Sequence, residues 1–196
     1  MRSETLNGKR KVALAGLLFA TCLLAAVPAM AQTGGAGPPG GTTTAPTTTT
    51  PAPTGTTATF NPDGSATAPA GAPRQVRKAI NAANRIRTRP YIWGGGHRKF
   101  KSKGYDCSGA VSYVLHAAGL LKRPMVSGAL GSIWGMPGTG SWITVYGNPS
   151  HVYMTVAGLR FDTSSGGDPL SQGSGPRWRT TARTPGGYSS RFAPGL

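Results

Sequence analysis

Cys107 is the residue in this sequence most suited to covalent chemistry. It directly precedes a stretch whose apolar residues recur at helical spacing, which predicts a helix that begins at or near the cysteine. Thiols attack well as thiolates, and a helix N-terminus stabilises negative charge through its dipole and its free N–H groups. Asp106 is the expected N-cap of this helix. Cys107 is therefore the candidate nucleophile, and the same N–H groups could hold the oxyanion of an acyl intermediate.

A cysteine nucleophile needs a base, which is normally a histidine, and the chain has three. His116 follows Cys107 by nine residues on the same predicted helix, so it faces the opposite side. His97 lies in a glycine-rich basic loop, which would hold a base less firmly. His151 opens a predicted strand, where the fold can fix its position. We expect His151 to be the base, with His97 as the alternative.

A predicted hairpin gives His151 an acidic neighbour. With Ala157-Gly158 as a two-residue turn, Val156 pairs with Leu159, and side chains alternate between the two faces of each strand. One face then carries an apolar set and the other a polar set that includes His151 and Asp162. Asp162 could accept the second imidazole N–H and orient the ring. The alternative is an exposed carboxylate or an ion-pair partner of Arg160, and a register slip of one residue would exchange the faces.

The elements that position these residues follow from periodicity. A helix is predicted over residues 74–87 and another after Asp106, separated by the glycine-rich loop "YIWGGGHRKFKSKGY". A Gly- and Pro-rich loop then runs to about residue 140, before a strand over 142–146 and the hairpin. The tail after Gly166 is rich in Gly, Ser and Arg, with Trp178 as its expected anchor. Helices followed by antiparallel strands indicate an α+β fold.

The N-terminal third of the chain has a different composition. Residues 1–31 have a basic start, an apolar segment and the cleavage pattern Ala29-Met30-Ala31, which is typical of a signal peptide, with an uncleaved anchor as the alternative. Cleavage would remove Cys22 and leave Cys107 as the single thiol. Residues 32–73 are rich in Thr, Pro, Gly and Ala, which predicts a disordered linker. Residues 74–196 would then form the catalytic domain, secreted or associated with the cell wall and without a membrane span.

The charge is strongly basic, at +16 for the whole chain. Without residues 1–31 the chain keeps seventeen Lys and Arg and four acidic residues, a net charge of +13. A basic exported domain suits an anionic matrix such as cell-wall polymers. Nucleic acid is not expected, because the chain is predicted to be exported and has no zinc-finger spacing or RNA-binding aromatic motif.

Three segments together resemble the NlpC/P60 family of cell-wall peptidases. They are "RPYIWGGG" (residues 89–96), "YDCSGAVSYVLHAAGLL" (105–121) and "SHVYMTVAGLRFD" (150–162), and they occur in the family's order. The resemblance implies a papain-like core in which N-terminal helices pack on a small antiparallel sheet. It implies Cys107 as nucleophile and His151 as general base, with the hydroxyl of Tyr91 beside the thiol. Tyr91, Asp106 and Ser108 are the expected substrate-binding residues.

The third catalytic residue departs from the family pattern. In the family this position is polar, often a second histidine, and is commonly twelve residues after the first. That offset gives Thr163, which the predicted pairing places on the apolar face of the hairpin. One residue fewer in the turn moves the equivalent position to Asp162. We therefore expect Asp162, with Ser164 as the fallback.

The resemblance implies a cysteine endopeptidase of peptidoglycan stem peptides, with the D-γ-glutamyl–diaminopimelate bond as the usual target of the family. The chemistry requires no metal or cofactor. Two alternatives remain open at the level of sequence: a non-catalytic basic module that binds the wall, and an acyltransferase that uses the same Cys and His on another amide. Trp93 and the glycines after it are expected to shape the loop, and Trp134 and Trp142 to pack in the core.

Overall fold

The computed structural model describes residues 56–164 and 174–196. Within these ranges the fold is α+β, as the sequence predicted. The predicted signal peptide and most of the predicted linker lie outside the described residues. Among the described residues, no helix is long and apolar enough to cross a membrane.

Two of the helices in the described residues lie close to their predicted bounds. Helix α1 spans Arg74–Ile86 and helix α2 spans Cys107–Ala117. The apolar stripe of α1 is fully buried and packs against α2, because its residues recur at helical spacing. Beyond α2, Gly119 has a φ of +81°, a backbone conformation that glycine adopts readily and that commonly ends helices.

The main sheet has six antiparallel strands. They are β3 (Met136–Pro137), β4 (Ile143–Gly147), β5 (Val152–Val156), β6 (Leu159–Asp162), β7 (Arg177–Arg179) and β8 (Ser189–Phe192). The order across the sheet is β3-β8-β4-β5-β6-β7. Strand β5 is central and contacts both α1 and α2, so the helices pack on the sheet as predicted.

The β5–β6 hairpin has the predicted register. Val156 pairs with Leu159 and Met154 with Phe161. Both turn residues have positive φ, +46° at Ala157 and +78° at Gly158, which matches the twist of a two-residue hairpin. The face that carries His151 and Asp162 is nevertheless not open to solvent, because the C-terminal segment covers it. Asp162 is buried, so its interpretation as an exposed carboxylate was wrong.

Residues 56–73 correct the linker prediction. They form a small hairpin of β1 (Thr59–Phe60) and β2 (Ala66–Thr67) that packs on α1. The side chain of Asn84 on α1 both accepts from the backbone N–H of Ala66 and donates to its carbonyl oxygen, each at 2.9 Å. The small side chains of Ala58 and Ala66 are buried. Composition alone missed this segment because tertiary contacts, and not its own apolar content, hold it in place.

The Gly- and Pro-rich loop and the tail also contain elements that periodicity did not indicate. Helix α3 spans Ser127–Ser132, and strand β3 follows it. The tail supplies strands β7 and β8. Trp178 on β7 is buried against Phe161 with ring centroids 5.0 Å apart, so it anchors the tail as expected. Trp134 is buried as well.

Candidate active site

The glycine-rich loop fixes the start of helix α2. Tyr105 donates its backbone N–H to the Pro90 carbonyl at 3.0 Å, so residues 90–92 run alongside residue 105. A side chain at Gly109 would collide with the carbonyl oxygen of Gly95, so loop and helix are in backbone contact. The glycines therefore shape the loop, as expected. Trp93 does not pack within it, because its side chain is 87% exposed.

Asp106 caps helix α2 as predicted. Its Oδ1 accepts the N–H of Gly109 at 2.8 Å, and its Oδ2 accepts the N–H of Gly94 at 3.0 Å. His97 Nε2 lies 2.9 Å from Asp106 Oδ2 and 3.0 Å from Ser108 Oγ. Asp106 and Ser108 are buried in this cluster, where they support the helix start. His97 belongs to the same cluster.

Cys107, His151 and Asp162 lie in one line of contacts. His151 Nε2 donates to Asp162 Oδ1 at 2.9 Å, and the His151 imidazole lies close enough to the Cys107 thiol for each group to shift the pKa of the other. Because Nε2 faces the carboxylate, Nδ1 is the nitrogen that remains for the sulfur. The structure thus brings together the three residues that the sequence analysis singled out, from α2, the start of β5 and the end of β6.

The surroundings of Cys107 favour its thiolate. Burial raises the pKa of the thiol, but hydrogen bonds from His151, Ser127 and the Val152 N–H outweigh burial, so the pKa of Cys107 is lowered overall. As the first residue of α2, Cys107 also has no intrahelical acceptor for its N–H, which remains available for an oxyanion. The thiol is therefore poised to lose its proton at a helix N-terminus.

The surroundings shift the pKa values of His151 and Asp162 in opposite directions. Burial lowers the pKa of His151, but the hydrogen bonds and charges of Asp162 and Cys107 raise it to about 9. Burial raises the pKa of Asp162, but His151, the Ser164 N–H and Arg183 together lower it. At neutral pH these directions favour an imidazolium between a carboxylate and a thiolate. That is the charge state in which a cysteine nucleophile is reactive.

Ser127 is a site residue that the sequence analysis missed. Its Oγ lies 3.6 Å from Cys107 Sγ, and it opens the short helix α3. The surrounding segment is glycine-rich, so only a serine before a few apolar residues could have signalled a helix start. Helix α3 therefore brings a second hydrogen-bonding group to the thiol, beside the imidazole.

Tyr91 lies near enough to the thiol to respond to its charge. Burial raises the pKa of Tyr91, and the negative charges of Cys107 and Asp106 raise it further. Tyr91 is 37% exposed, and Val126, which precedes Ser127, is 57% exposed. Two partly exposed apolar side chains therefore lie on segments that lead to the site, Tyr91 on the glycine-rich loop and Val126 before α3.

The remaining candidates lie elsewhere. His116 stacks on Phe100 with ring centroids 3.7 Å apart, and its Nδ1 contacts the Leu121 carbonyl, away from Cys107. Thr163 is buried, while the Ser164 N–H donates to Asp162 Oδ1 at 2.9 Å, so Ser164 supports the carboxylate. Among the described residues, no group of three or more His, Cys, Asp and Glu could hold a metal ion.

A thiol at a helix start, facing an imidazole and a carboxylate on a sheet, is an arrangement used by cysteine hydrolases and acyltransferases. No model of a known protein family matches the chain. No curated protein matches it either. The fold can nevertheless be compared with solved structures.

Similar structures include Rv1477, described as a hypothetical invasion protein of Mycobacterium tuberculosis, with 24% identity over 62% of this chain and a TM-score of 0.44. A mutated form of the resuscitation promoting factor interacting protein RipA has 23% identity over 62% of this chain and a TM-score of 0.44. An NlpC/P60 family protein from Bacillus cereus ATCC 10987 has 22% identity over 60% of this chain and the same TM-score of 0.44.

These similarities cover 65%, 66% and 39% of the other chains, so this chain spans less than two thirds of each. The family named by the third structure is also the one that the sequence motifs resemble. At these identities and TM-scores, the similarity supports no conclusion about activity. What this chain does has to be inferred from its own site.

Proposed function

We propose that this protein is a cysteine endopeptidase that hydrolyses stem-peptide bonds of peptidoglycan. The observation that carries the proposal is the chain of interactions from Cys107 to His151 and from His151 to the buried Asp162. The pKa shifts favour the protonation states that nucleophilic catalysis requires, because the pKa of the thiol is lowered and that of the imidazole is raised. The motif resemblance supports the D-γ-glutamyl–diaminopimelate bond as the target.

The proposed reaction has two steps. The thiolate, whose proton is on His151, attacks the scissile carbonyl carbon, and the N–H groups of Cys107 and Ser108 stabilise the oxyanion. The imidazolium gives its proton to the amide nitrogen, the C–N bond breaks, and a thioester to Cys107 remains. Water then attacks the thioester while His151 accepts its proton, which releases a carboxylate and the free thiol.

The proposal extends to the anionic polymers of the wall. A surface groove of about 610 Å³ runs beside the glycine-rich loop and has a strongly basic lining. Its cations are Arg89, Arg98, Lys99, Lys101 and Lys103. We refer to the last three as the groove lysines, and we name Lys78, Lys122 and Arg123, which are exposed outside it, the remote basic residues. The groove belongs to the loop that contacts the first turn of α2, so its single sign of charge would hold a polyanion near that helix.

Digestion of purified wall tests the proposal against its alternatives. The wild-type protein should release peptide fragments with new amine ends, and Cys107→Ser should release none. Cosedimentation with wall and no new amine ends, from folded protein with a reactive thiol, would instead indicate a binding module. Incorporation of an added amine in place of water would indicate an acyltransferase. Fragment release by Cys107→Ser at the wild-type rate would exclude the mechanism.

A further inference from the structure

Arg183 reaches the candidate active site from the C-terminal segment. Its Nη1 donates to Asp162 Oδ2 at 3.1 Å, while the other oxygen of the same carboxylate accepts from His151. The Asp162 side chain is completely buried. One carboxylate is therefore shared between the imidazole and a guanidinium that comes from a distant part of the chain.

Aromatic rings fix this guanidinium in place. Its central carbon lies 5.5 Å from the ring centroid of Tyr153 and 5.4 Å from that of Tyr188, within the range of cation–π attraction. The Tyr188 ring also meets His151 edge-on, with centroids 6.3 Å apart. Arg183 is thus clamped between β5 and the C-terminal segment, on the buried face of the hairpin.

The charge of Arg183 acts on His151 through the shared carboxylate. A carboxylate stabilises an imidazolium, and a cation on its far oxygen offsets part of that effect, while keeping the carboxylate ionised. The catalytic step needs this balance, because an imidazolium that holds its proton too firmly is a poor acid for the leaving nitrogen.

Other titratable and charged groups lie around the same carboxylate and imidazole. Cys107 on α2 contributes negative charge when ionised, and Arg160 Nε on β6 lies 3.7 Å from Asp162 Oδ2. Arg179 on β7 lies opposite Arg160 in the strand register. Burial raises the pKa of Tyr153 to about 12, so that tyrosine stays neutral. Arg183 Nη1, at 3.1 Å from Asp162 Oδ2, lies closer to this oxygen than Arg160 Nε does.

We propose that Arg183 is a positioning residue that sets the proton affinity of His151 by holding Asp162 ionised and partly neutralised. The C-terminal segment then completes the active site as well as covering the sheet. This inference rests on the proposed function, because it assumes that His151 serves as the acid and base for Cys107. It predicts a pH effect with a definite sign, which a purely structural role would not produce.

The test is the pH profile of Cys107 alkylation by iodoacetamide in the full chain. A thiolate–imidazolium pair gives two inflections: the lower marks thiolate formation, and the upper marks deprotonation of His151. Arg183→Gln and Arg183→Met remove the charge, so the upper inflection should rise by about 0.5 pH unit or more, a change of at least about threefold in the ionisation equilibrium. Arg183→Lys should restore it towards the wild-type value.

Arg191→Gln is the matched control. Arg191 lies in the same segment and donates to the backbone carbonyls of Trp134 and Gly135 at 2.7 and 2.8 Å, so within the described residues it anchors the segment through carbonyl oxygens and not through a carboxylate. Its loss should lower the thermal midpoint and leave the upper inflection in place. The thermal midpoint of each variant is measured first, and the alkylation assay is run below it. Both Arg183→Gln and Arg183→Met are used, so that the test does not depend on the folding of one variant.

The outcomes separate this inference from the proposed function. If the folded Arg183 variants keep the wild-type upper inflection, or if it moves downward, the role of Arg183 is refuted while the Cys107–His151 pair stands. If the wild-type protein itself shows a single inflection near that of a free thiol, the ion pair and the proposed mechanism fail together. An equal shift in Arg191→Gln would assign the effect to the docking of the segment and would overturn the specific role of Arg183.

Discussion

The substitution Asp162→Asn tests the central electrostatic contact of the site. It keeps the shape of the side chain but removes the negative charge 2.9 Å from His151 Nε2. Asp162 is the leading cause that raises the pKa of His151 from 6.5 to about 9, against a burial that lowers it. In the variant burial persists, and Arg160 and Arg183 still add positive charge, so the pKa of His151 should fall.

The magnitude follows from the size of the shift. The rise of about 2.5 pH units corresponds to a net imidazolium stabilisation of about 3 kcal/mol, and Asp162 and Cys107 together supply this amount in addition to what burial costs. If Asp162 supplies half or more, the upper inflection of Cys107 alkylation should fall by about 1 to 2 pH units, and the alkaline loss of wall hydrolysis should shift to lower pH by the same amount. The upper inflection should therefore move downward in Asp162→Asn, whereas it should move upward in Arg183→Gln.

Folding needs its own control, because the substitution leaves buried cations beside a neutral amide. Breaking a buried pair by removing one partner costs about 3–5 kcal/mol. The double variant Asp162→Asn/Arg183→Gln removes one of those cations, so its thermal midpoint should be higher than that of Asp162→Asn. A folded Asp162→Asn protein with the wild-type upper inflection would refute the reasoning about this contact.

Three further predictions concern the thiol, the pH range and the groove. Ser127→Ala should raise the pKa of Cys107 and slow its alkylation at pH 7 by roughly 3- to 10-fold, as the loss of one ordinary hydrogen bond of about 1 kcal/mol implies; an unchanged rate would contradict the contact. Protonated His151 should stabilise the folded protein fully below pH 6.5, and this contribution should disappear as the pH rises through about 9. Ionised Asp162, whose pKa is lowered, should stabilise the folded protein above pH 3.8, and this contribution should disappear on acidification. Thermal midpoints measured across pH should therefore fall at both ends, and His151→Ala should remove the alkaline decline. Replacing the three groove lysines by Glu should reduce the amount of protein that cosediments with wall, and the effect of salt on that amount, more than replacing the three remote basic residues by Glu. Equal losses in the two variants would indicate that net charge alone matters.

Local periodicity was sufficient to predict the elements that carry the central contact. The apolar spacing of α1 and α2 predicted both helices, and the two-residue turn at Ala157-Gly158 fixed the register of the hairpin. Once the register is set, alternation of side chains places His151 and Asp162 on the same face. This part of the site therefore depends on short-range patterns that a sequence displays directly.

The contacts that were missed come from segments distant in sequence or weak in pattern. Ser127 opens a six-residue helix with no side-chain cap, which is too short and glycine-rich to show a period. Arg183 follows Asp162 by 21 residues and meets it only because the tail folds back over the sheet. The hairpin of residues 59–67 is held by Asn84, a tertiary contact that composition cannot reveal.

The most direct test of the account is mass spectrometry of muropeptides digested by the wild-type protein and by Cys107→Ala. Both should fold alike, since the substitution removes only the thiol. The account predicts that wild-type digests contain stem fragments with new amine and carboxyl ends at one type of peptide bond, and that Cys107→Ala digests contain none. The same fragments at the same rate from Cys107→Ala, or intact stems after digestion by wild-type protein whose thiol is reactive, would contradict it.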